Sequence, residues 1–259
     1  MHGKVTLPEL QQMKRDGRKI VGVVLYDYQM AQIADRAGVD IVSAGDSVGI
    51  TLWGQVSESE VTLDQMVLVC QAVRRGVARA LVSCDIPFGP LQEGTDAAVR
   101  AAQRLVKEGG ADLVKLDAAT SSSEAVHAVA RAGIPVWAQF GTDTTPAADI
   151  KDRLVRDAKL LEDAGASLLD FRYSGPVAGP EVVRSVEIPV IGGLGGGPWL
   201  DGRVRSVAAA IGYLASAVGD TTPRYANVAE SALTAIGALC DDVRAARQIR
   251  GAASAAPTS

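Results

Sequence analysis

The stretch VKEGGADLVKLD, residues 106–117, contains one complete unit of the fold: the end of a helix, a glycine turn and a short apolar strand. Gly110 suits the left-handed backbone position that closes a helix, and the run after it has the length of a buried parallel strand. The same pattern recurs in ADRAGVDIVSAGD, VARAGIPVWAQFG and LEDAGASLLDFR, with Gly38, Gly133 and Gly165 at the turns. Each copy predicts a helix followed by a strand.

Three further apolar runs, at Lys19–Leu25, Ala80–Cys84 and Ile188–Ile191, bring the predicted parallel strands to seven. Seven or eight such units in a chain of 259 residues match a (β/α)₈ barrel. The alternative is an open doubly wound sheet, but its dinucleotide loop, G-x-G-x-x-G, is missing after the first run. We therefore predict an α/β fold, a single (β/α)₈ TIM-type barrel over residues 1–250 with a disordered tail at 251–259.

Both ends of the predicted barrel carry additional segments. The stretch LPELQQMKRDG, residues 7–17, predicts a short N-terminal helix, because Thr6 and Glu9 have the spacing of a capping box and Gly17 ends the pattern. The eighth strand is expected in RVRSVAAAIGYLASAV, residues 203–218, although this stretch fits a helix equally well. Helices are expected to follow it.

The overall composition excludes several classes of function. The chain is 47% hydrophobic and 22% charged with a formal net charge of −4, so no basic excess points to nucleic acid or an anionic membrane surface. The three cysteines, Cys70, Cys84 and Cys240, form no CxxC motif, and their odd number favours a reducing compartment. No apolar run approaches about 18 residues, and no signal-peptide pattern opens the chain. We predict a cytoplasmic protein without a membrane or nucleic-acid partner.

Polar side chains occur at the carboxyl ends of five consecutive predicted strands, where catalysis takes place in barrels of this kind. In chain order they are Asp46 and Ser47, Asp85, Lys115 and Asp117, Gln139, and Asp170 and Arg172. Any one of these residues alone fits a helix cap or a solvated loop. Their repetition on five strands predicts a site.

The residue types indicate the chemistry of this site. Asp46 and Asp85 have no nearby cysteine or histidine, so they predict an all-oxygen site for a hard cation such as Mg²⁺ rather than zinc. A metal held by a 2-oxo acid draws charge onto the carbonyl oxygen and stabilises an enolate. Lys115 adds a positive charge there, or else forms only a salt bridge with Asp117. Asp170 is expected to aim the Arg172 guanidinium from one layer deeper.

The sequence resembles the ketopantoate hydroxymethyltransferase family, (β/α)₈ enzymes of the phosphoenolpyruvate/isocitrate-lyase superfamily. The resemblance runs from about Thr6 to Gly193 and is carried by stretches that include IVSAGDSVGI, VTLDQMVLVCQAVRRG, CDIPFG, GGADLVKLD and IPVIGG. It implies that Asp46 and Asp85 hold Mg²⁺ and that Ser47 and Lys115 contact the 2-oxo acid. It also implies a homo-oligomer and the transfer of a methylene group from 5,10-methylenetetrahydrofolate to C3 of 2-oxoisovalerate.

Three departures from the family pattern fall inside the predicted site. Asp117 stands where the family has Glu, and Gln139 stands where it has His. Arg172 occupies the position of the Glu that removes the C3 proton in the family, and a cation that stays protonated cannot be that base. The predicted site residues are therefore Lys115, Asp117 and Arg172 for catalysis; Ser47, Asp85, Lys115, Gln139 and Arg172 for the substrate; and Asp46 and Asp85 for the metal.

Three functional hypotheses follow. The first is a Mg²⁺-dependent enzyme that forms or breaks a C–C bond of a 2-oxo acid. In one version Arg172 pairs with a second carboxylate of the substrate. In the other, the enolate arises by decarboxylation, by C–C cleavage, or by proton removal with Asp117 or Tyr173 as base. The second is hydroxymethyl transfer to 2-oxoisovalerate with a relocated base. The third is a non-catalytic binding or scaffold protein, since a fold alone does not imply activity.

Overall fold

The computed structural model describes residues 3–117, 119–144 and 150–251. It contains a closed barrel of eight parallel strands in the order β1 to β8, with β8 pairing back onto β1. The strands are β1 (Ile20–Leu25), β2 (Ile41–Ala44), β3 (Leu81–Asp85), β4 (Leu113–Leu116), β5 (Val136–Gly141), β6 (Leu168–Arg172), β7 (Val190–Gly192) and β8 (Gly202–Ser206). The predicted (β/α)₈ barrel is confirmed.

Helices alternate with the strands along the chain. They are α1 (Leu7–Arg15), α2 (Tyr28–Ala37), α3 (Val48–Leu52), α4 (Leu63–Gly76), α5 (Phe88–Gln92), α6 (Thr95–Lys107), α7 (Ser123–Arg131), α8 (Lys151–Asp163), α9 (Ala178–Ser185), α10 (Val207–Ala210) and α11 (Val228–Arg244). The glycines predicted to close helices before strands all have positive φ angles: Gly38, Gly110, Gly133 and Gly165. The predicted unit of a helix, a glycine turn and a strand is therefore confirmed in each of its four copies.

The N-terminal helix α1 closes the barrel at the amino ends of the strands. The Thr6 side chain caps it by accepting a hydrogen bond from the Glu9 backbone N–H at 3.3 Å, which is one half of the predicted capping box. Leu10 and Met13 are buried against a layer that takes one apolar residue from each strand. That layer consists of Ile20, Ile41, Leu81, Leu113, Trp137, Leu168, Ile191 and Val204.

Three aspartates lie at the amino ends of the strands, each directly before an even-numbered strand; Asp40 and Asp201 are buried, and Asp112 is half-buried. Asp40 accepts a hydrogen bond from the Val21 N–H at 3.0 Å. Asp112 accepts a hydrogen bond from the Val82 N–H at 2.9 Å, and Asp201 accepts one from the Val190 N–H at 2.8 Å. The carboxylates thus satisfy backbone donors within the first two residues of β1, β3 and β7.

The chain forms two compact units, residues 1–206 and 207–259. The first contains the barrel, so the ambiguous stretch 203–218 divides between β8 and α10. Within the second, Asn227 caps α11 by accepting from the Glu230 N–H at 3.1 Å and donates to the Ala217 carbonyl at 2.9 Å. No helix among the described residues is long and apolar enough to cross a bilayer. The predicted tail lies outside the described residues except Gly251.

Candidate active site

The barrel interior changes from apolar to polar towards the carboxyl ends of the strands. Because side chains on one strand face repeat every two residues, the residue two positions after each apolar one points the same way. On five successive strands this residue is polar and buried, namely Ser43, Ser83, Lys115, Gln139 and Asp170. Two positions further come Asp85, Asp117 and Arg172. The barrel therefore contains a polar interior at one end only.

Lys115 lies at the centre of this polar region. Its Nζ donates a hydrogen bond to Oδ1 of Asp117 at 2.6 Å, so the predicted Lys115–Asp117 pair is present. The same nitrogen lies 3.7 Å from Oδ2 of Asp85 and 3.8 Å from Oδ2 of Asp170. These carboxylates outweigh the cost of burial and raise the pKa of Lys115 well above its usual value. The buried ammonium is held in its charged form.

Asp46 and Asp85, the predicted metal ligands, follow or end neighbouring strands. Gly45 precedes Asp46, and a Cβ atom there would lie 2.7 Å from Val24 Cγ1 and 3.1 Å from Ser47 Oγ, so only glycine fits. Asp85 ends β3 and accepts a hydrogen bond from the Ser43 hydroxyl at 3.3 Å. A Cβ atom at Gly45 would also lie 3.6 Å from Oδ2 of Asp85, and burial together with the negative charge of Asp46 raises the pKa of Asp85. The two carboxylates therefore share one region of the barrel mouth.

The charge balance of this region fits a divalent cation. Burial, together with the negative charges of Asp117 and Glu58, raises the pKa of Asp46 to about 6. Burial is also the main cause of the raised pKa of Asp85. No group of three or more His, Cys, Asp or Glu side chains within the described ranges is arranged to hold a metal. Two carboxylates completed by water and substrate oxygens suit Mg²⁺, and its charge would offset the excess of carboxylates over Lys115.

Ser47 lies beside a residue that the sequence analysis missed. Its hydroxyl is 3.0 Å from the phenol oxygen of Tyr26, which is also 3.3 Å from Thr51 Oγ1. Tyr26 is buried and directly follows β1. The rule that polar residues at strand ends form the site would have found it, had that rule been applied to the first strand. Tyr26 restricts the rotation of the Ser47 side chain.

Gln139 and Asp170 are paired across neighbouring strands, in agreement with the register of β5 and β6. The Gln139 amide donates to Oδ2 of Asp170 at 3.1 Å. Burial raises the pKa of Asp170, and Lys115 and the amide partly offset this effect. The sequence predicted Asp170 only as a partner for Arg172. The structure instead connects it with Lys115 and Gln139.

Arg172 ends β6 at the rim of the polar region. The prediction that Asp170 aims its guanidinium is corrected, because the ion pair it makes is with Asp143, at 3.8 Å. Asp143 follows β5 and is almost fully exposed, so this contact is weak. The register places Arg172 beside Gly141, where a Cβ atom would lie 2.2 Å from the Arg172 carbonyl oxygen. The Arg172 Nε is buried and has no hydrogen-bond partner among the described residues.

A closed (β/α)₈ barrel with acidic residues and one buried lysine at the carboxyl ends of its strands has the architecture of a TIM-barrel enzyme. A family model described as ketopantoate hydroxymethyltransferase matches residues 4–248. The chain belongs to this family. It is 36% identical over 255 residues to the 3-methyl-2-oxobutanoate hydroxymethyltransferase of Cyanothece sp., covering 93% of this chain and 96% of the relative. The enzyme of the same name from Salinibacter ruber is 37% identical, with 93% and 95% covered.

Solved structures share the fold at much lower identity. A phosphonopyruvate hydrolase, solved with oxalate and Mg²⁺, superposes with a TM-score of 0.62 at 13% identity, covering 98% of this chain and 92% of that one. A 2,3-dimethylmalate lyase of the PEP mutase/isocitrate lyase superfamily gives 0.61 at 16% identity, covering 96% and 91%. These similarities show the barrel architecture.

Proposed function

We propose that this protein is a Mg²⁺-dependent enzyme that forms or breaks a C–C bond next to the oxo group of a 2-oxo acid, with a substrate altered from that of its relatives. The observation that carries the proposal is the set of acidic side chains around the buried ammonium of Lys115. Asp46 and Asp85 would hold the Mg²⁺, which supplies positive charge to the oxygens of the 2-oxo acid. Family membership supports an enzyme rather than a scaffold.

The other residues have roles that follow from their contacts. Lys115 binds the carboxylate or oxo oxygen of the acid, and Asp117 holds the Lys115 ammonium in place through its 2.6 Å hydrogen bond. Ser47, held by Tyr26, donates a hydrogen bond to the same acid. Gln139 contributes hydrogen bonding at the floor of the site. Together these groups position the carbon atom next to the oxo group for reaction.

Arg172 supports an altered substrate. Its side chain is about one third exposed, its ion pair with Asp143 is long, and its Nε is buried without a hydrogen-bond partner in the described part of the chain. A guanidinium in this state is suited to bidentate pairing with a carboxylate. The substrate we propose therefore carries a second anionic group beyond C3, which Arg172 binds at the rim.

The second candidate is hydroxymethyl transfer from 5,10-methylenetetrahydrofolate to 2-oxoisovalerate with a relocated base. The identity of about 36% to relatives named for this reaction favours it. In this case Arg172 does not contact a carboxylate of the substrate, and another group in the site removes the C3 proton.

Exchange of C3 protons in D₂O, followed by NMR, separates these candidates. We expect Mg²⁺-dependent exchange of 2-oxoglutarate, reduced at least tenfold by Arg172→Leu and unchanged by Arg131→Leu on an exposed helix face. Exchange of 2-oxoisovalerate alone, insensitive to Arg172→Leu, would instead support the second candidate. No exchange of either acid would contradict both candidates as enolate-forming enzymes that act by proton removal.

Two further predictions from the sequence have tests of their own. We propose a homo-oligomer, which light scattering coupled to size-exclusion chromatography would detect as a mass well above that of one chain. We also propose that residues 1–250 act as one barrel domain. A single cooperative unfolding transition of the full chain would support this, and two separate transitions would contradict it.

A further inference from the structure

Asp170 has an unusual environment for a carboxylate inside a barrel. Its side chain is only 6% exposed, and its Oδ2 atom accepts from Gln139 and lies 3.8 Å from the Lys115 Nζ. Its other oxygen, Oδ1, is buried and has no hydrogen-bond partner within the part of the chain that the structure describes. Oδ2 is thus held in place, and Oδ1 is free to accept a hydrogen bond or a proton.

A buried acceptor without a partner is costly, and in a native protein it calls for an explanation. At the other end of the barrel, Asp40, Asp112 and Asp201 all accept hydrogen bonds from backbone N–H groups. Among the described residues, no backbone N–H group donates to the Asp170 carboxylate in this way. The Oδ2 atom of the same carboxyl group lies 3.8 Å from the ammonium proposed to bind the 2-oxo acid, so an acid bound by Lys115 lies next to the Asp170 carboxylate.

We propose that Asp170 is the general base of this enzyme, with Oδ1 removing the C3 proton of the bound 2-oxo acid. The inference rests on the proposed function. In this step the C3–H bond breaks and an O–H bond forms on Asp170, while the electron pair stays on the substrate and delocalises onto the oxo oxygen. When the enolate reacts with an electrophile, the proton leaves Asp170 to solvent; when it does not, the carboxyl returns a proton to C3.

Two comparisons favour Asp170 over Asp117 as the base. The Oδ1 of Asp117 already accepts a hydrogen bond from Lys115 at 2.6 Å, whereas the Oδ1 of Asp170 has no partner among the described residues. Burial also raises the pKa of Asp170, and a carboxylate with a raised pKa is the better proton acceptor near neutral pH.

The position on β6 supports the same assignment. By resemblance, the proton-abstracting Glu of the family occupies the position of Arg172. Asp170 lies two residues earlier on the same strand face, about 6.6 Å deeper in the barrel. This chain therefore keeps a carboxylate on the same face of the same strand. Gln139 acts as a positioning residue that holds Oδ2 and turns Oδ1 towards the substrate.

The test uses the full-length protein with Mg²⁺ and measures C3 exchange of 2-oxoisovalerate and 2-oxoglutarate in D₂O. Asp170→Asn keeps the size of the side chain and removes the proton acceptor. We expect the exchange rate to fall about 10²–10⁴-fold at saturating acid, with little change in the half-saturating concentration. The exposed control Asp163→Asn is expected to leave both quantities unchanged.

A second variant guards against misfolding of the first, and thermal unfolding is followed for both. Gln139→Leu keeps the carboxylate but releases its Oδ2, so we expect about a tenfold slower exchange with a pH profile shifted to higher pH, because the amide that partly offsets the raised pKa of Asp170 is lost. A folded Asp170→Asn protein that retains more than a tenth of the rate would overturn the inference while leaving the proposed function intact. If the unchanged protein exchanges neither acid, the proposed function fails, and the inference fails with it.

Discussion

Both ends of the barrel contain aspartates close to a lysine, but the two groups of residues differ in hydrogen bonding and in charge balance. At the amino ends of the strands, Asp201 accepts from the Val190 N–H and lies 3.2 Å from Lys14 Nζ. Lys14 also donates to the carbonyls of Val183 and Ile188 at 2.9 and 3.0 Å. At the carboxyl ends, Lys115 faces three carboxylates, and one oxygen of Asp170 has no partner among the described residues.

The difference separates stability from function in one fold. A buried charge whose partners are all present contributes to folding, since removing any partner leaves an uncompensated group. A cluster with excess negative charge and a free acceptor is not optimised for folding, and such perturbed groups concentrate at functional sites. The same aspartate and lysine side chains therefore act as structural elements at one end of the barrel and as candidate catalytic groups at the other.

Among the variants that test this difference between the two ends, the largest effect is expected from Lys115→Met. The variant removes the ammonium proposed to bind the 2-oxo acid, so we expect the rate of C3 exchange to fall about 10²–10³-fold. The matched variant at the opposite end, Lys14→Met, should lower the melting temperature and leave the exchange rate per folded molecule unchanged. An equal loss of C3 exchange in both variants would contradict the assignment of Lys14 to a structural role and of Lys115 to a functional one.

Asp201→Ala is expected to cost about 3 kcal/mol in the free energy of unfolding, because it leaves the Val190 N–H and the Lys14 ammonium without their carboxylate. Chemical denaturation followed by circular dichroism measures this loss. C3 exchange by the remaining folded protein should match that of the unchanged chain. If Asp201→Ala is as stable as the unchanged protein but loses C3 exchange, Asp201 has a functional role rather than a structural one.

The smallest effect is a pH dependence caused by Asp46. Its pKa is raised from the usual 3.8 to about 6 in the folded protein, so the folded state binds this proton more tightly than the unfolded chain. The resulting stability is present in full below pH 3.8 and is lost as the pH rises through about 6. Without Mg²⁺, the melting temperature of the unchanged protein, relative to that of Asp46→Asn, should therefore decrease as the pH rises from 4 to 7.

Mg²⁺ provides the complementary measurement, since it binds the ionised carboxylates and stabilises the folded state by mass action. Its stabilising effect on the unchanged protein should grow as the pH rises through about 6 and should be strongly reduced in Asp46→Asn. A relative melting temperature that is flat with pH would show that Asp46 has an ordinary environment and would weaken the metal assignment.

Local patterns predicted most of the barrel. A left-handed glycine and a buried strand are specified by adjacent residues, so the four repeated units could be recognised without knowledge of the fold. The eighth strand could not be recognised in this way. Residues 203–218 suit a helix as well as a strand, and it is the open edges of β1 and β7 that select the extended form for Gly202–Ser206.

Most members of the candidate site were predicted in the same way, because each lies near the carboxyl end of a strand, although Tyr26 was missed. The partners within the site were not. Asp170 and Arg172 have the spacing of an ion pair on one strand face, yet the barrel places Lys115 and Gln139 next to Asp170. Trp137 shares a face with Gln139, but it packs in the apolar layer next to α1 rather than in the polar region.

The sequence by itself determined the class of fold, the family and the identity of the charged residues at the strand ends, because all of these are encoded in neighbouring residues with a fixed period. Only the tertiary structure decided which charges meet. Closing the sheet brings together side chains far apart along the chain, such as Asp85, Lys115 and Asp170, and burial then shifts their pKa values. Register, closure and desolvation are properties of the whole barrel, so no local stretch contains them.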